Sequence, residues 1–288
     1  MTQDIRELLV EQKNEITAYT IYETLSRTVK DENNAKILRK MSQEEWKHYH
    51  ILKNLTQTEV KPNRFYVSVF IFICRVLGLT FGMKMLERDE DKAIKTYKRL
   101  SAHYPQLEEL VKDESNHEAL LIDMIDEEKL KFIGSIVLGL NDALVELTGA
   151  LAGFTFAFQN TRLIALTALI TGISASFSMS ASEYLSTKHE VNQTKEPFKA
   201  AVYTGVAYVF TVILLILPYL LLSNPFISLI VCLLVALLII FLFNFYVSVV
   251  QETPFKGRFI EMAAISLSVS AFSFLIGMLV KQVFGIEI

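Results

Sequence analysis

Apolar residues are distributed unevenly along the chain. The longest apolar run covers residues 200–250 and contains no charged residue in its 51 positions. A helix needs about 18 or more such residues to span a bilayer, so this run is long enough for two spans. It is interrupted at 223–225 by Ser-Asn-Pro. Because proline disfavours a continuing helix, the run predicts a helical hairpin within a membrane.

Three more apolar stretches accompany this hairpin. Two of them carry no charge over most of their length, whereas the first is interrupted by Asp142 and Glu146. Residues 131–288 are therefore predicted to form an all-α membrane domain with five spans. The spans are expected at about 132–158, 163–186, 199–222, 226–250 and 260–284.

Residues 1–130 are predicted to form a separate helical domain that is rich in polar residues. Pro62 and Pro105 mark boundaries, because proline fits the first turn of a helix but not its interior. Four long helical segments result, and four helices of this length favour a bundle. The segments cover about 2–30, 31–57, 65–100, with a break near Gly78, and 105–128.

One segment of the N-terminal domain is unusually apolar. Residues 65–86 contain few polar side chains, but Arg75 lies near the middle and Lys84 near the end. An arginine in the centre of a span is costly in lipid. Two interpretations stay open. The segment is either a buried or interfacial helix of the N-terminal domain, or it touches or enters the membrane.

Charge follows the same division of the chain. Of the 28 basic and 31 acidic residues, 44 lie within residues 1–131, so the two parts are expected to face different solvents. The net charge of -3 excludes the basic footprint that is typical of nucleic-acid-binding proteins. The two cysteines, Cys74 and Cys232, lie far apart in apolar surroundings and favour no disulfide framework.

Lysines and arginines also orient the membrane domain, because they are enriched in cytoplasmic loops. If the N-terminal domain is cytoplasmic, six of these residues lie on the inside and two on the outside. The distribution favours a cytoplasmic N-terminal domain and an outside C-terminus. The inside residues are Lys131, Lys188, Lys195, Lys199, Lys256 and Arg258, and the outside residues are Arg162 and Lys281.

The N-terminal domain contains a repeated pattern of metal-ligand type. Glu45 and His48 lie three residues apart on the second helical segment, and Glu114 and His117 lie three apart on the fourth. At this spacing, a carboxylate and an imidazole project from the same helix face. A di-iron site in a four-helix bundle combines two such pairs with one glutamate from each of the other two helices.

A suitable glutamate precedes each pair. Glu15 precedes Glu45 by 30 residues, and Glu87 precedes Glu114 by 27. Glu90, one turn after Glu87, either competes with it or binds beside it. The repeated order predicts a di-metal site in the bundle. Four other glutamates are interpreted as surface charges, namely Glu11, Glu23, Glu44 and Glu118.

Four sequence segments resemble the helices of rubrerythrin-like, ferritin-like domains. They are EITAYTIYETLS, EEWKHYHIL, MLERDEDKAIKTYKRL and DESNHEALL, and the resemblance covers about residues 5–128. It implies a di-iron centre, with manganese as an alternative metal. The ligand positions that it implies are Glu15, Glu45, His48, Glu87, Glu90, Glu114 and His117.

Two polar pairs stand out in the membrane domain. Asp142 and Glu146 lie four residues apart in the first span, and Met179 and Glu183 lie four apart in the second. Acids within a span are costly and usually mark an ion or proton path. A thioether is a soft ligand that suits transition metals. The four side chains are therefore predicted to line a metal path. Hydrogen bonding between helices, for the acids, and packing, for Met179, are the structural alternatives.

The first two spans closely resemble those of the vacuolar iron transporter family. The segments that carry this resemblance are VLGLNDALVELTGALAGFTFA and GISASFSMSASEYLSTK, and the five-span count over about 131–286 agrees. The resemblance implies a dimeric, proton-coupled exporter of Fe²⁺ and related divalent ions, with Asp142 and Met179 in its path. Gly149 and Gly153 favour close helix packing, as in a homodimer.

One departure from the plant members of this family concerns residues 187–198. This connection is too short for their cytoplasmic metal-binding insert, whose place the N-terminal domain can take. The combination resembles the membrane-bound ferritins of prokaryotes. With a polar, acidic beginning rather than a signal peptide, the chain is expected in a prokaryotic plasma membrane.

The sequence thus predicts export of Fe²⁺ or Mn²⁺ from the cytoplasm in exchange for protons. The ferritin-like domain would capture the metal or sense it. The alternative is an enzyme, in which a ferroxidase or peroxidase with a di-iron centre is tethered to the membrane by the spans.

Overall fold

In a computed structural model, the described residues are 3–123, 131–190 and 195–284. Within these ranges, the side chains of 87–89, 91, 115–116, 118–123, 281 and 284 are not described. The described residues form helices joined by short turns, without a strand. The chain divides into two compact units, Met1–Asp126 and Glu127–Ile288.

The described part of the first unit, residues 3–123, contains five helices. Helix α1 packs along α2, α4 packs along α5, and the short α3 lies against α1 and α4. The four long helices agree with the predicted bundle, and α3 is an addition to it. The helices are α1 (Gln3–Ser26), α2 (Glu32–Thr56), α3 (Arg64–Leu77), α4 (Leu79–Leu100) and α5 (Leu107–Asp123).

The predicted third segment is split into α3 and α4 at Gly78. Its φ of 98° is rarely adopted by residues with a side chain, so the chain turns sharply here. A side chain at Gly82 would collide with Cys74, which shows how closely the two helices approach. Asn63 begins α3, where its side chain accepts a hydrogen bond from the backbone N–H of Tyr66 at 3.2 Å.

Two apolar clusters form the core of this unit. One cluster includes Ile21, Leu38 and Phe70, and the other includes Leu8 and Tyr97. Along α1 and α2, the buried polar side chains occupy positions between those that contribute to the two clusters. The bundle is therefore layered along its axis, with a polar layer between two apolar ones. The polar residues in question are Glu15, Glu45 and His48.

Among its described residues, 131–190 and 195–284, the second unit contains five helices, each long and apolar enough to cross a membrane. Helix α6 contacts all four of the others, and α7 packs extensively on α8. The predicted number of membrane helices is thereby confirmed. They are α6 (Ile133–Phe158), α7 (Thr161–His189), α8 (Pro197–Leu221), α9 (Pro225–Val250) and α10 (Phe255–Phe284).

Small residues allow the helices of this unit to approach closely. Added Cβ atoms at Gly149 and Gly153 would lie 3.1 and 3.2 Å from the Oγ and the backbone oxygen of Ser273 on α10. The two glycines therefore serve a contact within the chain, and the homodimer stays a prediction. Large apolar side chains such as Ile170 and Phe210 point outward, as expected for helices surrounded by lipid.

Candidate metal centre and transport path

The bundle brings buried carboxylates and imidazoles together from α1, α2, α4 and α5. Two overlapping groups have ligand atoms within 4.8 Å of one another. Because Glu45 and Glu114 belong to both groups, the arrangement fits two adjacent metal ions bridged by these two glutamates. The first group is Glu15, Glu45, His48 and Glu114, and the second is Glu45, Glu90, Glu114 and His117. These six residues are called the bundle cluster below.

Both histidines present the same ring nitrogen to the carboxylates. The Nδ1 atom of His48 lies 3.1 Å from Glu114 Oε1 and 3.5 Å from Glu15 Oε2. The Nδ1 atom of His117 lies 3.0 Å from Glu114 Oε2 and 3.5 Å from Glu45 Oε1. The Nδ1 atoms are therefore the metal-facing atoms of the bundle cluster.

The other ring nitrogens contact carboxylates outside the cluster, and they do so crosswise. His48 on α2 has its Nε2 3.4 Å from Asp113 Oδ2 on α5. His117 on α5 has its Nε2 2.8 Å from Glu44 Oε2 on α2. Carboxylates in this position fix the orientation and tautomer of a metal-binding histidine. We call Glu44 and Asp113 the outer carboxylates.

The interpretation of Glu44 as a surface charge is wrong. Its side chain is only 28% exposed because it reaches across to His117. The sequence contains a signal for both outer carboxylates, since an acidic residue directly precedes each Glu-x-x-His pair. These acids are Glu44 before Glu45 and Asp113 before Glu114.

Two buried tyrosines hold ligand carboxylates in place. Tyr97 donates a hydrogen bond to Glu15, and Tyr22 donates one to Glu90 at 2.7 Å. Both tyrosines are fully buried, so neither contact is exchanged with water. Sequence reasoning missed them because a tyrosine on the inner face of a helix is usually part of the core.

Burial and close approach shift the pKa values of the cluster in opposite directions. Burial raises the pKa of Glu45 well above its usual range, helped by Glu114 and Glu15, and raises that of Glu90 to about 8. Burial would also raise the pKa of Glu15, but contacts with Glu45, His48 and Tyr97 lower it to about 2. Neutral acids and a carboxylate therefore coexist in one cluster.

The histidine pKa values are raised. Burial alone would lower them, but the carboxylates of Glu114 and Glu15 raise the pKa of His48 to about 11. The carboxylates of Glu114 and Glu44 raise that of His117 to about 10. Without metal, both imidazoles are doubly protonated and positively charged at neutral pH. A metal ion would have to displace the proton on the nitrogen that it binds, because only neutral imidazole is a ligand.

The residues present fit a di-metal centre. Four buried atoms lie within 3.0–3.5 Å of an ion-pair partner but make no hydrogen bond of good geometry, which leaves them incompletely satisfied. Carboxylate oxygens and imidazole nitrogens suit iron and manganese, so these atoms have the right chemistry for such ions. The four atoms are Glu45 Oε1, Glu114 Oε2 and the Nδ1 atoms of His48 and His117.

Of the two candidate ligands Glu87 and Glu90, the structure locates only Glu90. Glu90 lies in the bundle cluster. The side chain of Glu87 lies outside the described part of the chain, so its assignment as a ligand stays a prediction.

A cavity of about 520 Å³ reaches the bundle cluster. Most of its lining comes from α1 and α4, and it includes the cluster residues Glu15, Glu45, Glu90 and Glu114. Glu11 and Lys13 also line it, and burial raises the pKa of Glu11. A small ion or molecule could therefore reach the buried carboxylates through this cavity.

Two of the predicted path residues of the membrane unit, Asp142 and Glu146, lie on α6, and the other two, Met179 and Glu183, lie on α7. Glu146 accepts a hydrogen bond from Tyr208 of α8 at 2.8 Å. Glu183 of α7 accepts one from Ser135 at 2.5 Å. Asp142 lies between these two contacts on α6, about 10 Å along the helix axis from Ser135. Sequence reasoning missed Tyr208 and Ser135.

Asp142 faces a shallow cavity of about 430 Å³, which Asn141 and Gly134 also line. The side-chain oxygen of Asn141 is buried there without a hydrogen bond. Met179 packs, partly buried, against the apolar core of the unit, which includes Tyr208. The structure therefore gives Asp142 and Met179 different surroundings.

Within the described ranges, both groups of acidic and histidine side chains that could share a metal ion lie in the bundle. Asp142, Glu146 and Glu183 thus do not form such a group with one another. Their role as a path stays a prediction.

Two family models match the chain. Residues 3–129 match the model described as Ubiquinone biosynthesis protein COQ7, a ferritin-like di-iron carboxylate domain. Residues 133–196 match the model described as VIT family. No curated protein matches the chain. The matches confirm the predicted order of a ferritin-like domain followed by a membrane domain of the vacuolar iron transporter type.

Proposed function

Because the chain joins a ferritin-like domain to a VIT-type membrane domain, we propose that it exports Fe²⁺ from the cytoplasm in exchange for protons. Mn²⁺ is the alternative cargo, since it uses the same ligand types. The observation that carries the proposal is the presence of three carboxylates in the first two membrane helices, namely Asp142 and Glu146 on α6 and Glu183 on α7, which accepts a hydrogen bond from Ser135 of α6. An anchor would need no acids in these helices.

Charge balance favours exchange over simple passage. Acids within a span are costly when ionised and unpaired. A divalent cation that replaces two protons on a pair of carboxyl groups leaves the total charge in the span unchanged. Asp142 and Glu146, one turn apart, are the pair that we assign to this exchange. Met179 would favour transition metals over Mg²⁺ or Ca²⁺.

The bundle supplies the capture step in this proposal. The bundle cluster and Glu87 would hold a di-iron centre, and a bound iron pair would add redox chemistry. Tyr97 and Tyr22 keep two of the carboxylates oriented, and the outer carboxylates orient the histidines. The bundle would then deliver the metal to the spans or gate them in response to metal supply.

The test is metal flux in proteoliposomes under a pH gradient, with Fe²⁺, Mn²⁺ and Zn²⁺ compared. We expect Fe²⁺ flux that depends on the gradient and falls at least tenfold in Asp142→Asn. Glu190→Gln, at an exposed position just after α7, is the control and is expected to keep full flux. Flux that survives loss of both Asp142 and Met179 would show that the proposed path is wrong.

The second candidate is a tethered ferroxidase or peroxidase. It is favoured by the family match over the whole bundle and by the buried cluster that the match contains. In this case the intact chain would consume oxygen on addition of Fe²⁺ and show no flux for any ion. Oxygen consumption would then disappear in Glu114→Ala.

A further inference from the structure

Helix α3 is apolar on two faces. Its inner face packs into the bundle core through Val67, Phe70 and Cys74. Its outer face carries four large apolar side chains that are exposed in the described part of the chain. They are Phe65, Val69, Phe72 and Val76, which are 80%, 39%, 64% and 58% exposed.

These four side chains form a continuous stripe. Their spacing of four, three and four residues places them on one face of a helix of 3.6 residues per turn. A helix that is apolar on both faces is usually buried, and contiguous exposed apolar patches mark interaction sites. The outer stripe of α3 therefore requires a covering surface.

The charges of α3 indicate the chemistry of that surface. The helix contains two arginines and no acidic residue. Arg64 and Arg75 are both exposed, and with Ser68 they follow one edge of the stripe at spacings of four and seven residues. Exposed Lys61 precedes the helix. An apolar face with a basic edge is typical of helices that lie in a membrane interface. Arginine stems can extend along lipid while the guanidinium stays among the headgroups.

We propose that the outer stripe of α3 lies in the headgroup region of a bilayer that contains anionic lipid. The same chain carries five helices that can span a membrane, so a lipid surface is permanently available to it. A second copy is a poorer match. A two-fold contact through this stripe would bring the basic edges of two α3 helices into one interface, without an acid on either helix.

The proposal has a consequence for the bundle cluster. Asn63 and Tyr66, at the start of α3, line the cavity that reaches the cluster carboxylates. An α3 that lies in the membrane surface would therefore place this cavity beside the lipid headgroups. The inference does not depend on whether the chain transports metal.

The chain's single tryptophan, Trp46, makes a clean test possible. Trp46→Phe with Phe72→Trp gives a full-length chain whose only indole lies on the stripe. We expect blue-shifted emission, and at least twofold quenching when the bilayer contains anionic lipids brominated on their acyl chains. Trp46→Phe with Lys98→Trp places the indole on an exposed polar position of α4 and is expected to show neither effect.

A water-like emission at position 72 without quenching would overturn the proposal. Blue-shifted emission without lipid quenching would overturn it too, because it would show that protein, such as a second copy, covers the stripe. Adding Arg64→Glu and Arg75→Glu to the reporter chain leaves the apolar stripe intact. We expect this variant to lose most of the quenching in anionic bilayers. Unchanged metal content would show that its bundle is folded.

Discussion

The bundle and the membrane unit both contain carboxylates, but they arrange them differently. Glu15, Glu45 and Glu114 of the bundle are buried, whereas Glu146 of the membrane unit is exposed and Asp142 and Glu183 are partly buried. The bundle cluster concentrates six ligand residues around two shared glutamates and holds them with tyrosines and outer carboxylates. In the membrane unit, Glu146 of α6 and Glu183 of α7 each accept one hydrogen bond, and their partners Tyr208 and Ser135 lie on different helices. The first arrangement suits retention of a metal ion. The second suits passage, which requires sites weak enough to release their ion.

The largest effect is expected when a residue shared by both groups of the bundle cluster is removed, which tests whether this cluster retains metal. Because Glu114 belongs to both groups of the cluster, Glu114→Ala should abolish binding of two metal ions, measured as metal content per chain. Glu15→Ala, which affects one group, should leave about one. Equal metal content in the two variants would contradict the bridging role of Glu114.

The metal-free Glu114→Ala chain is a useful second measurement. It removes a buried carboxylate whose neighbours include Glu45 and Glu90, both with raised pKa values. It also removes a partner of both charged histidines. Since breaking a buried ion pair costs about 3–5 kcal/mol, we expect lower stability without metal. Glu109→Gln, at an exposed site on the same helix, controls for local effects.

The next effect is the dependence of metal binding on pH. His48 and His117 have pKa values of about 11 and 10, so metal must displace their protons throughout the neutral range. Affinity for Mn²⁺ should therefore rise with pH, about tenfold per unit for each proton released. Calorimetry in buffers of different ionisation enthalpy measures the number of protons that are released when the metal binds. An affinity that is equal at pH 6 and pH 8 would rule out proton displacement.

The same pKa values bear on the metal-free bundle. A histidine whose pKa is raised on folding stabilises the folded state, and this contribution is fully present at pH values below the pKa of the unfolded state, near 6.5. This contribution is lost as the pH rises through about 10 and 11. Alkaline conditions thus weaken the empty bundle while they favour the loaded one. The difference in melting temperature between the two should widen with pH.

The smallest effect concerns the membrane unit. Tyr208→Phe removes the hydrogen bond to Glu146 and should change proteoliposome flux by about tenfold or less, with the fold intact. Tyr219→Phe is the matched control, because this tyrosine is equally buried but bonds Thr155 instead of an acid. If both variants behave alike, the contact between Tyr208 and Glu146 has no special role in the path.

These contrasts also explain how much of the molecule could be predicted from its sequence. Five membrane helices and a four-helix bundle follow from apolar runs and helix spacing, since both are local properties of the chain, whereas the ferritin-like character of the bundle follows from the resemblance of four segments. The Glu-x-x-His pairs follow for the same reason, because residues three apart share a helix face. The amino-acid sequence therefore identifies five of the six residues of the bundle cluster, and for the sixth, Glu90, it leaves Glu87 as an alternative or additional ligand.

The hydrogen bonds from tyrosines to carboxylates could not be predicted from local sequence patterns. Tyr97 meets Glu15 across 82 positions, and Tyr208 meets Glu146 across 62. Such contacts depend on which helices pack together and in what register, which no local pattern specifies. The split at Gly78 was only partly predicted, because a glycine permits a sharp turn without requiring one.

The crosswise outer carboxylates have a final consequence for how the bundle loses metal. Since α2 orients the histidine of α5 and α5 orients that of α2, a displacement of either helix disturbs both metal positions. The two ions are then expected to leave together rather than one after the other. Helix α5 ends at Asp123, and the first membrane helix begins at Ile133. Among the described helices of the bundle, α5 is the nearest in sequence to the membrane unit. If the two ions leave together, this helix would experience metal supply as two states of the cluster, loaded or empty.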